Sequence, residues 1–161
     1  MRKFFIAAGL SAALLSGYAA LPAFAFDENS SAAVNVDESG LGLRGFDPVG
    51  YFEAGKPTKG SADVTAEHNG VTYHFASTEN RELFTANPAK YAPQYGGFCQ
   101  MGAALGKKLD GDPAVWRVDG DMLFVYAYPA AKEGFVKDIP GNTQKADTNW
   151  PQIKDKAPKD L

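Results

Sequence analysis

Alternating apolar and polar positions predict two antiparallel hairpins. The first surrounds Asn69-Gly70, a pair that tolerates the positive φ of a tight turn, with the runs 63–68 and 71–76 as its strands. A two-residue turn sets a register in which three pairs share one face: His68 with Val71, Ala66 with Tyr73, and Val64 with Phe75. His74 falls on the other face, so His68 and His74 are not expected to bind one metal ion together.

The second hairpin is predicted from the same alternation later in the chain. Trp116 and Val118 stand between polar neighbours, and residues 119–121 supply the turn. Beyond the turn, two sets of residues alternate between the faces of the strand: Leu123, Val125 and Ala127 on one, Phe124 and Tyr126 on the other.

Short helices are predicted around the hairpins. Asp47 and Pro48 suit a helix start, and Ser77 can cap a helix that runs to about Ala86. Three further helices are predicted, at residues 98–105, 129–137 and 141–150. The chain is therefore expected to form an α+β fold, with a small antiparallel sheet built from two hairpins and flanked by short helices.

Residues 1–25 have the layout of a secretory signal peptide. Arg2 and Lys3 precede the apolar stretch 4–15, and Ala23 and Ala25 are small residues of the kind that signal peptidase prefers. The apolar stretch is shorter than the roughly 20 residues that span a bilayer, which disfavours a retained anchor. We expect cleavage after Ala25, a location in the periplasm or outside the cell, and no membrane span after cleavage.

The remaining 136 residues fit one domain. Residues 26–40 are acidic and rich in serine, which is typical of a flexible leader, residues 41–153 form the domain, and residues 154–161 form a charged tail. The net charge after cleavage is −5, without a run of Lys or Arg. Binding to nucleic acid or to anionic lipid is therefore disfavoured.

Motifs for catalysis are sparse in this sequence. It contains no G-x-S-x-G, no glycine-rich phosphate loop and no H-E-x-x-H, so an enzyme is disfavoured. Cys99 is the single cysteine, which excludes an internal disulfide and a C-x-x-C pair. At the start of the predicted helix 98–105, its thiolate would be favoured by the helix dipole. With the second sulfur of Met101 and the imidazole of His74, this set would suit copper.

The same residues, Cys99, Met101 and His74, can also be interpreted as parts of the core without a metal. On a helix, Phe98, Met101 and Leu105 fall on one stripe at the spacing of core residues. Cys99 is then a buried, inert residue, and a third alternative is an exposed thiol that exchanges disulfides with a partner. His74 can equally be a structural residue. Three other residues near turns could line a pocket or serve in capping and packing: Asp47, Tyr51 and Trp116.

Several motifs resemble the YHS domain family over about residues 41–153. The resemblance is centred on the segment 73–77, Tyr-His-Phe-Ala-Ser. It includes further motifs along the chain: Gly45-Phe46-Asp47-Pro48-Val49-Gly50-Tyr51-Phe52, Phe84 with Asn87-Pro88 and Tyr91, Pro93-Gln94-Tyr95-Gly96-Gly97-Phe98-Cys99, Asp119-Gly120 with Leu123, and Ala146-Asp147 with Asn149-Trp150-Pro151.

The resemblance points to metal binding in some relatives, but their metal site cannot be carried over to the matching residues of this chain. Relatives in copper-transporting ATPases and heavy-metal proteins carry cysteines at places that correspond here to Gly50, Ala76 and Asn80. Those thiolates are absent from this chain, so the remaining candidates are those already named, Cys99 and His74 with Met101 in support.

The sequence thus predicts an exported, non-enzymatic binding module. The first hypothesis is that it binds a transition metal such as copper through Cys99 and His74. The alternatives are a metal-free structural or protein-interaction domain with Cys99 in the core, and a thiol redox partner. The expected partner is a metal ion or a periplasmic protein.

Overall fold

The computed structural model describes residues 26–161. The predicted signal peptide, residues 1–25, lies outside this part of the chain. Apart from short 3-10 turns, six α-helices and four β-strands follow one another within these residues: α1 (Gly50–Glu53), β1 (Ser61–His68), β2 (Val71–Phe75), α2 (Thr78–Ala86), α3 (Pro88–Tyr91), α4 (Gln100–Ala104), β3 (Asp112–Asp119), β4 (Met122–Tyr126), α5 (Pro129–Val136) and α6 (Ile139–Ile153). No helix among residues 26–161 is long and apolar enough to cross a membrane.

The two hairpins confirm the predicted α+β class, and each forms a two-stranded sheet of its own. In the first hairpin His68 pairs with Val71, as the Asn69-Gly70 turn predicts. The expected pairing of Val64 with Phe75 is wrong, because the register shifts between Ser61 and Thr65 and Phe75 pairs with Ser61. An irregularity of this kind inserts residues into one strand and ends the strict alternation.

The second hairpin has the predicted faces over residues 123–126, whereas Ala127, beyond the end of β4, packs with the cluster of Phe124 and Tyr126 instead of with Leu123 and Val125. Trp116 pairs with Val125 and Val118 pairs with Leu123, while Arg117 pairs with Phe124. Isolated bridges connect this hairpin to the preceding segment, one between Pro93 and Leu123 and one between Cys99 and Val125.

Helix α2 begins as predicted, with the Ser77 hydroxyl accepting from the Asn80 N–H at 3.1 Å. Helix α4 is shorter than predicted, since it begins at Gln100 and Cys99 is its N-cap residue. Helix α6 is longer than predicted, because it continues through Pro151 to Ile153.

Two clusters of buried side chains form the core, and β4 lies between them. Leu123 and Val125 belong to the first cluster, together with the apolar face of the first hairpin. Phe124 and Tyr126 belong to the second, which is built mainly by α4, α5 and α6. Successive side chains of β4 point to opposite faces of the strand, and each face packs in one of the two clusters. Strand β4 therefore joins the two halves of the domain.

Residues 26–40, for which the sequence predicts a flexible leader, make specific contacts with the domain. The Asn35 N–H donates to the Gly96 carbonyl at 2.8 Å, and its side-chain amide donates to the Gly97 carbonyl and to Asp110. Phe26 packs edge-on against Phe98, with 6.2 Å between ring centroids.

Lys108 connects this segment to the other end of the chain. It is 1% exposed, and its ammonium group donates to the carbonyls of Ala32, Lys154 and Lys156 at 2.7, 3.0 and 2.8 Å. Burial lowers the pKa of Lys108, and the charge of Asp155 opposes this shift. The predicted charged tail, residues 154–161, is thus hydrogen-bonded to the domain where it begins.

Candidate functional site

The thiol of Cys99 lies in the second core cluster. Cys99 is 0% exposed and occupies the N-cap position of α4, where its sulfur accepts from the Gly102 N–H at 3.4 Å. Its own N–H donates to the Leu109 carbonyl at 2.9 Å. The sequence placed Cys99 in the first turn of a longer helix, whereas the structure places it one step earlier, as the residue that caps the helix.

The other two predicted ligands have different surroundings. Met101 is partly buried against the same cluster as Cys99. His74 lies on the first hairpin, with its ring beside Gly45. It also affects the carboxyl of Asp37. Burial acts to raise the pKa of Asp37, but hydrogen bonds from Ser39 and Leu41 and, more weakly, the charge of His74 lower it overall. Among residues 26–161, no group of three or more His, Cys, Asp and Glu side chains is arranged to hold a metal ion.

A second site forms around the carboxylate of Asp47, which is fully buried. One oxygen accepts from the N–H groups of Val49 and Gly50 at 2.8 and 3.3 Å. The other accepts from the Ala76 N–H at 2.9 Å and from the Asn80 side-chain amide at 2.7 Å. Four donors on three separate segments therefore meet at one side chain, which we call the Asp47 node.

The Asp47 node gathers the three positions at which metal-binding relatives would carry cysteines. Gly50, Ala76 and Asn80 all donate to the same carboxylate, although they lie far apart in the sequence. The motif resemblance named these positions separately, and only the structure brings them together. In this chain they serve a buried network of hydrogen bonds, because each carboxylate oxygen already accepts two of them.

A third group of buried polar side chains lies between α4 and the second hairpin. Tyr126 donates its hydroxyl hydrogen to the Gln100 side-chain oxygen at 2.6 Å, and Arg117 Nε donates to the Tyr126 oxygen at 3.1 Å. Burial raises the pKa of Tyr126, and Arg117 opposes this shift. Sequence reasoning missed this group, because a glutamine and a tyrosine 26 positions apart give no local signal.

Tyr51 and Trp116, which could have lined a pocket, pack against each other in the structure. Their ring centroids are 5.2 Å apart in an edge-to-face arrangement, and the Tyr51 hydroxyl donates to the Pro113 carbonyl at 2.9 Å. Burial raises the pKa of Tyr51, with smaller effects from Asp112 and Asp47. Both residues therefore tie helix α1 to strand β3.

These sites define a small α+β domain whose halves are joined by buried polar groups. Residues 49–95 match the family model of the YHS domain. The chain therefore contains a YHS domain in this segment, which confirms the resemblance seen in the motifs. The match covers the Asp47 node except for Asp47 itself and ends before Cys99 and the second hairpin. No curated protein and no solved structure matches the chain.

Proposed function

We propose that this YHS-domain protein is a non-enzymatic binding module. Cys99 is a structural residue in it, and the module binds its ligand at a site that does not include Cys99. The supporting observation is the position of the thiol, which is fully buried and accepts a hydrogen bond as the cap of α4. A small, weakly polar side chain in such a place acts as part of the core. A nucleophile or a soft metal ligand needs an ionised sulfur that its partner can reach.

The accessibility of the thiol tests this proposal. In the native protein, Cys99 is expected to react with a chromogenic disulfide reagent only as the domain opens, and to react at once in denaturant. The matched control is a Cys99→Ser, Met122→Cys double variant, since Met122 is exposed and its replacement supplies a reachable thiol. Rapid reaction of native Cys99, as fast as that of the control, contradicts the proposal.

Copper binding by Cys99, Met101 and His74 is the competing proposal. It is favoured by one observation, the placement of both sulfur residues against the same cluster. It requires the imidazole of His74, on the first hairpin, to reach the sulfur of Cys99 at the start of α4. If copper is bound in this way, Cu(I) protects the thiol from the reagent, and His74→Ala weakens that protection; redox exchange instead predicts a fast reaction without protection.

We also propose that the protein works in the periplasm or outside the cell. The support is the signal-peptide pattern of residues 1–25. Expression of the full chain in a bacterium should give a periplasmic product whose intact mass corresponds to a first residue of Phe26. A cytoplasmic product that retains residues 1–25 contradicts this part of the proposal.

A further inference from the structure

A cleft of about 350 Å³ lies between the first hairpin and the end of helix α6. It is lined by Val71 and Tyr73 of β2, by Trp150 of α6 and by Lys154, the residue that follows this helix. Pro93 and residues 33–34 line it as well. The volume is within the range of small-molecule sites. None of the residues assigned to the Asp47 node or to the Cys99 cap lines this cleft.

The hydroxyl of Tyr73 makes no hydrogen bond among residues 26–161. It is not one of their buried unpaired polar atoms, so its oxygen is accessible to solvent although Tyr73 as a whole is only 4% exposed. Tyr91, also 4% exposed, resembles Tyr73 in this respect, whereas the hydroxyls of Tyr51 and Tyr126 donate to Pro113 and Gln100. An accessible hydroxyl without a partner in the protein can donate to a ligand. Because Tyr73 lines the cleft, its hydroxyl has space there for a partner that is not part of the protein.

The chemistry around Tyr73 indicates which partner would fit. Burial raises the pKa of Tyr73, so the phenol keeps its proton and acts as a donor. His68 and Asn69 lie at the rim, where their side chains are 3.0 Å apart. Lys154 adds a positive charge, and its contact with Asp155 is long, at 3.8 Å, and exposed. The polar groups of the cleft therefore favour a ligand with an acceptor group that carries negative charge.

The apolar part of the cleft favours a flat ligand body. Trp150 is held in place by edge-to-face contact with Tyr95, at 5.8 Å between centroids, and by Phe98 at 6.0 Å. Val71, which pairs with His68 in the register of the first hairpin, also lines the cleft. Aromatic rings stack well against a fixed indole, and their burial is favourable in itself.

We propose that this cleft binds a small aromatic carboxylate, with the ring between Trp150 and Val71 and the carboxylate accepting from the Tyr73 hydroxyl near Lys154. This inference rests on the proposed function as a binding module, and it names the site and the class of ligand.

Benzoate is the probe that tests the site. The chain has two tryptophans, so Trp116→Phe leaves Trp150 as the single indole reporter. We expect benzoate to change the fluorescence of Trp150 and to shift its indole N–H resonance saturably, whereas benzyl alcohol, which has the same ring without the charge, binds at least several-fold more weakly. Absence of a saturable response to benzoate overturns the inference.

Tyr73→Phe is the decisive variant. It removes a hydroxyl that makes no hydrogen bond within the domain, so the variant should fold. It should weaken benzoate binding about tenfold, because one hydrogen bond to a charged group is lost. Tyr128→Phe is the matched control, because Tyr128 is 55% exposed and does not line the cleft. Lys154→Gln should weaken binding a few-fold and reduce its dependence on salt.

The outcomes separate this inference from the proposed function. Equal benzoate affinity in the wild type and in Tyr73→Phe overturns the site even if the native Cys99 thiol is unreactive. A reactive thiol that copper protects overturns the structural role of Cys99. The benzoate result is unaffected by that outcome and still decides whether the cleft binds a ligand.

Discussion

At the scale of single residues, Asp47 shows how a buried charge can be accommodated. A carboxylate in the core is costly unless hydrogen bonds replace its hydration. Here four donors do so, and they come from the start of α1, from the end of β2 and from α2. The sequence predicted the capping part of this role. The contacts with Ala76 and Asn80 could not be predicted, because they depend on how the hairpin folds back over α1.

We predict that Asp47→Asn destabilises the domain. The amide loses the charge, and one of its two polar atoms becomes a donor that faces other donors. The free energy of unfolding should fall by about 3 kcal/mol, since hydrogen bonds to charged groups are each worth roughly 1.5–3 kcal/mol. Urea unfolding followed by circular dichroism measures the change.

Asp63→Asn is the control for this substitution. Asp63 is exposed on β1, so its loss of charge should change the free energy of unfolding by less than about 0.5 kcal/mol. If Asp47→Asn is as mild as the control, the Asp47 node does not hold the three segments together.

At the scale of elements, the turns of the hairpins were predictable and the irregularities of their strands were not. Asn69 and Gly70 both adopt positive φ, 51° and 76°, which the residue types alone favour. The register shift between Ser61 and Thr65 follows from tertiary contacts: Gly60 passes so close to the His74 backbone that an added Cβ would lie 2.4 Å from its carbonyl carbon. No local pattern encodes that approach.

The boundaries of the helices were also predictable only in part. Ser77 is a strong capping residue, and α2 begins where the sequence predicts. Cys99 is a weak acceptor and is not a usual cap, so the start of α4 was misplaced. Pro151 ordinarily ends a helix, yet α6 continues past it to the buried Ile153. We infer that packing of Ile153 outweighs the local preference there.

Two glycine substitutions should have opposite effects. Gly70→Ala puts a side chain at φ 76°, and since nothing lies within 4 Å of the added atom, the cost is backbone strain alone, about 1 kcal/mol. Gly134→Ala lies inside α5, where alanine is favoured over glycine by about 0.5–1 kcal/mol.

Thermal or urea unfolding of the two variants provides the comparison, and each serves as the control for the other. Stabilisation by Gly70→Ala would mean that the turn does not have the conformation described. Destabilisation by Gly134→Ala would mean that the side chain of Met101, 3.9 Å from the added atom, cannot accommodate a methyl group.

At the scale of the whole molecule, the folding unit is larger than the segment that defines the family. The matched residues 49–95 contain α1, both strands of the first hairpin, α2 and α3. Their core cluster is completed by Leu43 before the segment and by Leu123 and Val125 after it. The family segment alone would therefore expose the apolar side chains that β4 covers.

The whole-molecule arrangement also explains why the candidate site could not be assigned from the sequence. Cys99, His74 and Met101 were the candidates from the sequence because of the chemistry of their side chains. The cleft at Tyr73 instead combines β2, the loop at Pro93 and the end of α6, which only the tertiary fold brings together. Tyr73 and Trp150 belong to two separate motifs far apart in the sequence, and the cavity that both line is a property of the assembled domain.

The three carbonyls that receive hydrogens from Lys108 belong to opposite ends of the described chain. A lysine that is 1% exposed and held by three carbonyls is out of reach of an acylating reagent. Surface lysines such as Lys56 should therefore be labelled quickly, while Lys108 stays unlabelled for as long as both ends remain in place. The degree of acylation at this one residue would report, without an added probe, when the chain termini come loose.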